Sequence, residues 1–253
     1  MENKVYTISL SNNETDSSDF AQEFINDAQS TTPVAPTTLF ATPQSFIPGE
    51  LLGDAPVPPS DDDVAKEPVA SDVAKEPIAS DDDVPTPNFN AKCLVINGSP
   101  HKDGNTARMV SNYIFENNVK LMTAVYPYFA NIKPCIDCRY CYTHRCCSIL
   151  DDMHYVYDDD YAHVIIASPV YFSSITPPLF NVLTRLQLYY ANKRFFDGEK
   201  LEIKPKTATI ILTGGGDGKP DEALRLCKIM ARLMNATVVE IIQKLDTDTD
   251  PVI

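Results

Sequence analysis

Five short runs of apolar and β-branched residues, separated by polar loops and helix-like stretches, restrict what this chain can fold into. They occupy residues 93–96, 121–125, 162–167, 207–212 and 237–242. Each is four to six residues long and lacks the strict apolar–polar alternation of a half-exposed strand, as expected of strands buried on both faces. A helical pattern follows the first run, with Met109, Val110, Tyr113 and Ile114 on one side. A second helical pattern, over 221–234, precedes the last run. Strands alternating with helices predict an α/β domain built on a doubly wound, parallel five-stranded sheet with right-handed crossovers. No helical pattern follows the fifth run, so the sheet is expected to lack a closing C-terminal helix.

The domain is expected to begin near residue 91. Residues 1–90 carry 3 Lys and Arg against 17 Asp and Glu, and hold 11 of the 20 prolines. Residues 91–253 carry 18 of each charge sign, so the formal net charge of −14 comes entirely from the first part (3 − 17 = −14). Within that part the unit VAKEPxAS occurs at 64–71 and again at 73–80, flanked by the acidic triplets 61–63 and 81–83. Like charges and fixed proline φ angles keep such a segment extended and unable to bury a core. Residues 1–90 therefore read as a disordered acidic spacer, with a short capped turn bearing Phe20 and Phe24 as a candidate docking element. The negative charge argues against nucleic acid and anionic membrane as partners. No stretch has the length and apolarity of a membrane helix, and the N-terminus lacks the pattern of a secretory signal. A cytoplasmic location is the expectation.

Two loops carry chemistry. After the first apolar run comes Asn97-Gly98-Ser99-Pro100-His101-Lys102-Asp103-Gly104-Asn105-Thr106, leading directly into a helix. Glycines, hydroxyls and a helix N-terminus together suit a bound phosphate. The segment matches neither a Walker A loop nor a G-x-G-x-x-G fingerprint, which disfavours ATP and a Rossmann-bound dinucleotide. At the end of the third run stands Ser168-Pro169-Val170-Tyr171-Phe172-Ser173-Ser174, and open parallel sheets bind ligands beyond the carboxyl ends of their strands. Tyr171 and Phe172 could stack on a planar ring there, or pack into the core. A glycine-rich segment beginning at Gly214 follows the fourth run at the same edge. It could approach a cofactor or serve as a plain turn.

The order Gly98-Ser-Pro-x-x-x-Gly-Asn-Thr106, Pro134-Cys-x-x-Cys-x-x-Cys141, Cys147, Asp151-Asp152-Met153 and Ser168-Pro-Val-Tyr171 resembles the NADPH-dependent FMN reductase family. The spacing is most similar to that family's iron–sulfur flavoprotein branch. The resemblance implies a flavodoxin-like fold, noncovalent FMN, NAD(P)H as electron donor and assembly into dimers or tetramers. It implies that Ser99, Asn105 and Thr106 hold the phosphate, with His101 beside them. Pro169, Val170, Tyr171 and Phe172 would then border the isoalloxazine. The implied activity is an FMN oxidoreductase that passes electrons to a small-molecule acceptor, such as a quinone or free flavin, or to a redox protein. The rival reading is a non-catalytic binding module with an acidic interaction tail.

Five of the seven cysteines lie within residues 135–147. Cys135, Cys138 and Cys141 can each take a corner of a 4Fe–4S cluster. In the iron–sulfur branch the fourth ligand falls where Cys147 stands, which favours it over Cys146. A zinc site, a reactive thiol pair and a metal-free loop remain open on the spacing alone. Cys93 and Cys227, on a strand and a helix, read as small buried apolar residues. The acidic pair 151–152 and the acidic triplet 158–160 read as solvated loops.

Overall fold

The computed structural model describes residues 5–9, 85–216 and 219–245. The spacer repeats and the turn bearing Phe20 and Phe24 lie outside the described residues. In chain order the strands are β1 (Val5–Ser9), β2 (Cys93–Asn97), β3 (Leu121–Val125), β4 (His163–Pro169), β5 (Lys206–Thr213) and β6 (Ala236–Lys244). The helices are α1 (Asn105–Glu116), the single turn α2 (His154–Tyr157), α3 (Pro177–Arg185), α4 (Gln187–Phe195) and α5 (Asp221–Leu233).

The sheet order is β1-β3-β2-β4-β5-β6, and β2 through β6 pair in parallel. Counting only those five parallel strands, the order is 2-1-3-4-5, which is the flavodoxin-like doubly wound arrangement, and it reverses between β2 and β4. The fold is thus the expected one. One strand was not expected: β1 pairs antiparallel with β3 at the sheet edge, from Val5 opposite Val125 to Ser9 opposite Leu121. Its sequence, VYTIS, has the β-branched and aromatic residues of a strand. Among the described residues no helix follows β6, and Ile241 is left partly exposed.

Side-chain alternation along the buried strands builds two cores, one on each face. Cys93, Val95, Ile165 and Ala167 face α1, where they meet Val110, Tyr113 and Ile114. Leu94, Ile96, Val164, Ile166 and Ile210 face the other way, toward Leu179 and Val182 of α3 and Met230 of α5. The prolines at the start of α3 fit its first turn, where the missing N–H costs nothing. Cys93 and Cys227 are fully buried, and burial pushes each thiol up to about 12. Both behave as the small apolar residues expected.

His163 at the start of β4 is fully buried in the α1-side core. Its Nδ1 shares a 2.7 Å hydrogen bond with Thr207 Oγ1, and Phe89 meets its ring edge-on with centroids 5.0 Å apart. Burial holds its pKa down to about 4, against 6.5 for a free imidazole. The unfolded chain therefore binds a proton here that the folded chain refuses. The associated stability is complete above pH 6.5 and is lost as pH falls toward 4. Lowering the pH from 7 to 5 should withdraw about 2 kcal/mol through this residue. Urea denaturation of His163→Gln should show a pH dependence shallower by that amount. Parallel curves for the two proteins would mean that the imidazole is not held neutral.

Candidate functional site

The carboxyl edge of the sheet at the switch between β2 and β4 brings three loops together. The first is the 98–104 loop, anchored by Gly98: its N–H donates to Ala167 O at 2.8 Å, and its carbonyl accepts from Thr176 Oγ1 at 2.8 Å. The loop feeds α1, whose first turn has no acidic residue and no side-chain cap. The opening N–H groups of a helix have no partner within it, and they sit at the positive end of its dipole. Arg108 N–H donates to Gly104 O at 3.0 Å, closing that turn onto the loop.

The residues expected to hold a phosphate divide into two groups. Asn105 and His101 are exposed, at the helix start and in the loop. Ser99 is buried; its Oγ donates to His101 O at 3.0 Å and accepts from His101 N–H at 3.1 Å, so the hydroxyl shapes the loop. Thr106 is turned inward, its hydroxyl 2.6 Å from that of Thr213 on β5, which leaves its main-chain N–H as the group it can offer. Beneath the loop lies the fully buried Asn97. Its Oδ1 accepts from Ser99 N–H at 3.0 Å, while Nδ2 has no hydrogen-bond partner. An unpartnered buried donor and an uncapped helix start fit a phosphate oxygen anion.

The second loop follows β4 and forms a two-residue hairpin. Tyr171 and Ser174 exchange main-chain hydrogen bonds of 2.9 Å in both directions. The tip residues Phe172 and Ser173 have φ of 49° and 63°. A bulky residue held at positive φ is strained and is a mark of functional geometry. Phe172 is completely exposed and Tyr171 is 40% exposed, so neither packs in the core. Val170 N–H donates to Thr213 O at 2.7 Å, and Ser173 O accepts from Ala223 N–H at 2.9 Å, fixing the hairpin to β5 and α5. Pro169 closes β4 in register with Thr213.

A third loop, after β3, was not anticipated. Tyr128 lies near Tyr171: its phenol pKa is raised by burial and further by the neighbouring phenol. Phe129 lies under Lys102 of the first loop, with Nζ 5.3 Å from the ring centroid. An aromatic cluster after a carboxyl strand end was the available signal. Gly214 instead continues the β5–β6 ladder, its N–H donating to Lys244 O at 2.9 Å. The exposed aromatics beside the phosphate loop fit a planar ring.

The cysteine loop forms a separate recess. Cys135, Cys138, Cys141 and Cys147 all line it, together with Ile136, Tyr142 and Arg185. Cys146 is not among the residues lining it. Burial pushes the Cys141 thiol up to about 11, and Cys147, Cys135 and Cys138 contribute by proximity. Cys138, whose φ is not positive, sits between Asp137 at 51° and Arg139 at 57°. Among the described residues no three His, Cys, Asp or Glu side chains are grouped to hold a single metal ion. A four-iron cluster asks for something different, since each thiolate binds its own corner. Cys135, Cys138, Cys141 and Cys147 are the residues in this recess that would take those corners.

The acidic pair 151–152 is not a solvated loop. The Asp151 and Arg185 side chains are wholly buried, with Oδ2 and Nη1 2.6 Å apart. Nη1 also donates to Lys133 O and Nη2 to Ile149 O, each at 3.0 Å. Asp151 further accepts from the N–H groups of Lys133 and Met153, and Asp152 from that of Asn131. Asp151 therefore ties the cysteine loop to the end of α3, while Asp152 holds the segment that leads into it. Residues 158–160 are paired as well: Asp158 with Lys92 at 3.0 Å, Asp159 with Lys206 at 2.6 Å, and Asp160 with Lys204 at 3.6 Å.

Residues 91–245 match the family described as NADPH-dependent FMN reductase. An iron–sulfur flavoprotein of Archaeoglobus fulgidus is 30% identical over 137 residues, which is 52% of this chain and 58% of that protein. The chain thus spans rather more than half the length of this relative. Among solved structures, Smu.1420 from Streptococcus mutans is similar with a TM-score of 0.48 and 14% identity, covering 62% of this chain and 88% of the other. A flavone reductase gives 0.47 and 14%, covering 62% and 55%. Among the described residues no helix is long and apolar enough to cross a membrane.

Proposed function

Because the chain belongs to the NADPH-dependent FMN reductase family, we propose that it is a cytoplasmic FMN oxidoreductase taking electrons from NAD(P)H and releasing them through a 4Fe–4S cluster in its cysteine loop. Bound FMN supplies two-electron acceptance from a nicotinamide with one-electron release, and a cluster supplies single-electron transfer. The protein's part is to bind and orient. The α1 N-terminus, with Asn97, Asn105 and the Ser99-shaped loop, holds a phosphate. The Tyr171–Phe172 hairpin and Tyr128 offer aromatic surface to a ring. Cys135, Cys138, Cys141 and Cys147 serve as cluster ligands.

The observation that carries the redox reading is the meeting of an uncapped helix start with exposed aromatics at the sheet's switch point, in a chain of this family. The shared recess of four thiols favours the iron–sulfur form over a plain reductase. Acceptors of matching chemistry are quinones, free flavin or a one-electron redox protein. Exposed Phe180, Tyr190 and Phe195 on α3 and α4 support homo-oligomerisation. The test is the visible spectrum, with flavin and iron content, of protein purified without oxygen. The reading requires flavin that NADPH bleaches and about four irons per chain. Flavin without iron after reconstitution would reduce it to a simple reductase. Protein that is colourless and refuses added FMN would overturn it in favour of a binding module.

A further inference from the structure

Arg185 ends α3 directly beside the cysteine recess, and its guanidinium does more than neutralise Asp151. It is 1% exposed and forms part of the recess lining. Its two terminal nitrogens reach Lys133 O and Ile149 O, the carbonyls immediately before Pro134-Cys135 and after Cys147-Ser148. One side chain thus closes both ends of the segment holding all four proposed ligands. Cys135 N–H is held from the same helix, by Thr184 Oγ1 at 3.2 Å. The remaining donor, Nε–H, is buried with no hydrogen-bond partner. Leaving such a charged donor unpaired costs on the order of 1–3 kcal/mol or more, which a sulfur acceptor in the recess would recover. Burial opposes the charge, yet the hydrogen bond to Asp151 and the nearby Tyr157 and Cys147 hold the Arg185 pKa above its ordinary value. The cation is therefore permanent and close to Cys147.

We propose that Arg185 is the positioning residue of the cysteine loop, clasping its two ends through the terminal nitrogens and donating Nε–H to a sulfur of the cluster bound there. This rests on the cluster reading above. A hydrogen bond to a cluster sulfur stabilises the reduced, more negative form and raises the reduction potential.

The test is a redox titration of anaerobically reconstituted full-length protein, with flavin and iron counted, for wild type, Arg185→Lys and Asp151→Asn. Lysine keeps the charge and can pair Asp151 but has no Nε–H. It should retain flavin and iron while the cluster midpoint becomes more negative and its visible spectrum changes. Asp151→Asn keeps every arginine donor while removing the countercharge, so its midpoint should become more positive. Loaded variants with the wild-type midpoint and spectrum would show a purely structural arginine and overturn the proposal. If Arg185→Lys does not fold, pulsed EPR of the reduced, loaded wild type made with 15N-arginine decides: a resolved arginine-nitrogen coupling to the cluster supports the proposal and its absence overturns it. A wild-type protein that takes up no iron overturns the cluster reading and this proposal with it.

Discussion

Asp151→Ala should lower the unfolding free energy by about 3–5 kcal/mol, because it strands the Arg185 cation in a site where both side chains are wholly buried. It also removes the acceptor for two main-chain N–H groups, those of Lys133 and Met153. Against a total stability of roughly 5–15 kcal/mol for a domain, this is a large share. Denaturant midpoints would measure it. The double variant Asp151→Leu with Arg185→Met should recover part of the loss, since two matched apolar groups leave no buried charge unpaired. A single-variant loss below about 1 kcal/mol would place the pair in the weak class of hydrated surface bridges.

The second large effect is expected at Gly98. A Cβ there would stand 2.9 Å from Thr176 Oγ1 and 3.0 Å from Leu179 Cβ and Cδ2. The loop and the start of α3 can approach only because this residue has no side chain. Gly98→Ala should cost about 1–3 kcal/mol through overpacking. It should also weaken flavin binding about tenfold or more, a loss on the order of 1.4 kcal/mol, as the loop's two anchoring hydrogen bonds shift. Flavin fluorescence titration reads the affinity. Gly216→Ala is the matched control, since its Cβ would meet nothing within 4 Å. Equal affinities for the two variants would mean that the loop does not need the close approach.

The five parallel strands were legible because strands buried on both faces appear as apolar runs whatever their surroundings. The segment carrying β1 gave a weaker signal: five residues at the head of an acidic stretch, whose partner β3 lies more than a hundred residues away. Helices α3 and α4 were missed although Leu179, Val182 and Leu186, and then Leu188 and Ala191, are buried at helical spacing. The 98–104 loop was readable as a turn from strand to helix, but the inward turn of Thr106 depends on Thr213, which no local pattern shows. Asp151 and Arg185 were harder still. Charges read one at a time suggest solvent, and only the fold brings these two together across 34 positions. At the second loop, the flanking Pro and Ser residues favoured a surface role for Tyr171 and Phe172 but left core packing open, and their exposure decides against the core.

The Arg185 clasp grips main-chain carbonyls at both ends of the cysteine segment rather than any side chain between them. Side-chain substitutions within residues 134–148 therefore leave both of these anchoring bonds in place. Such a segment is a replaceable cassette.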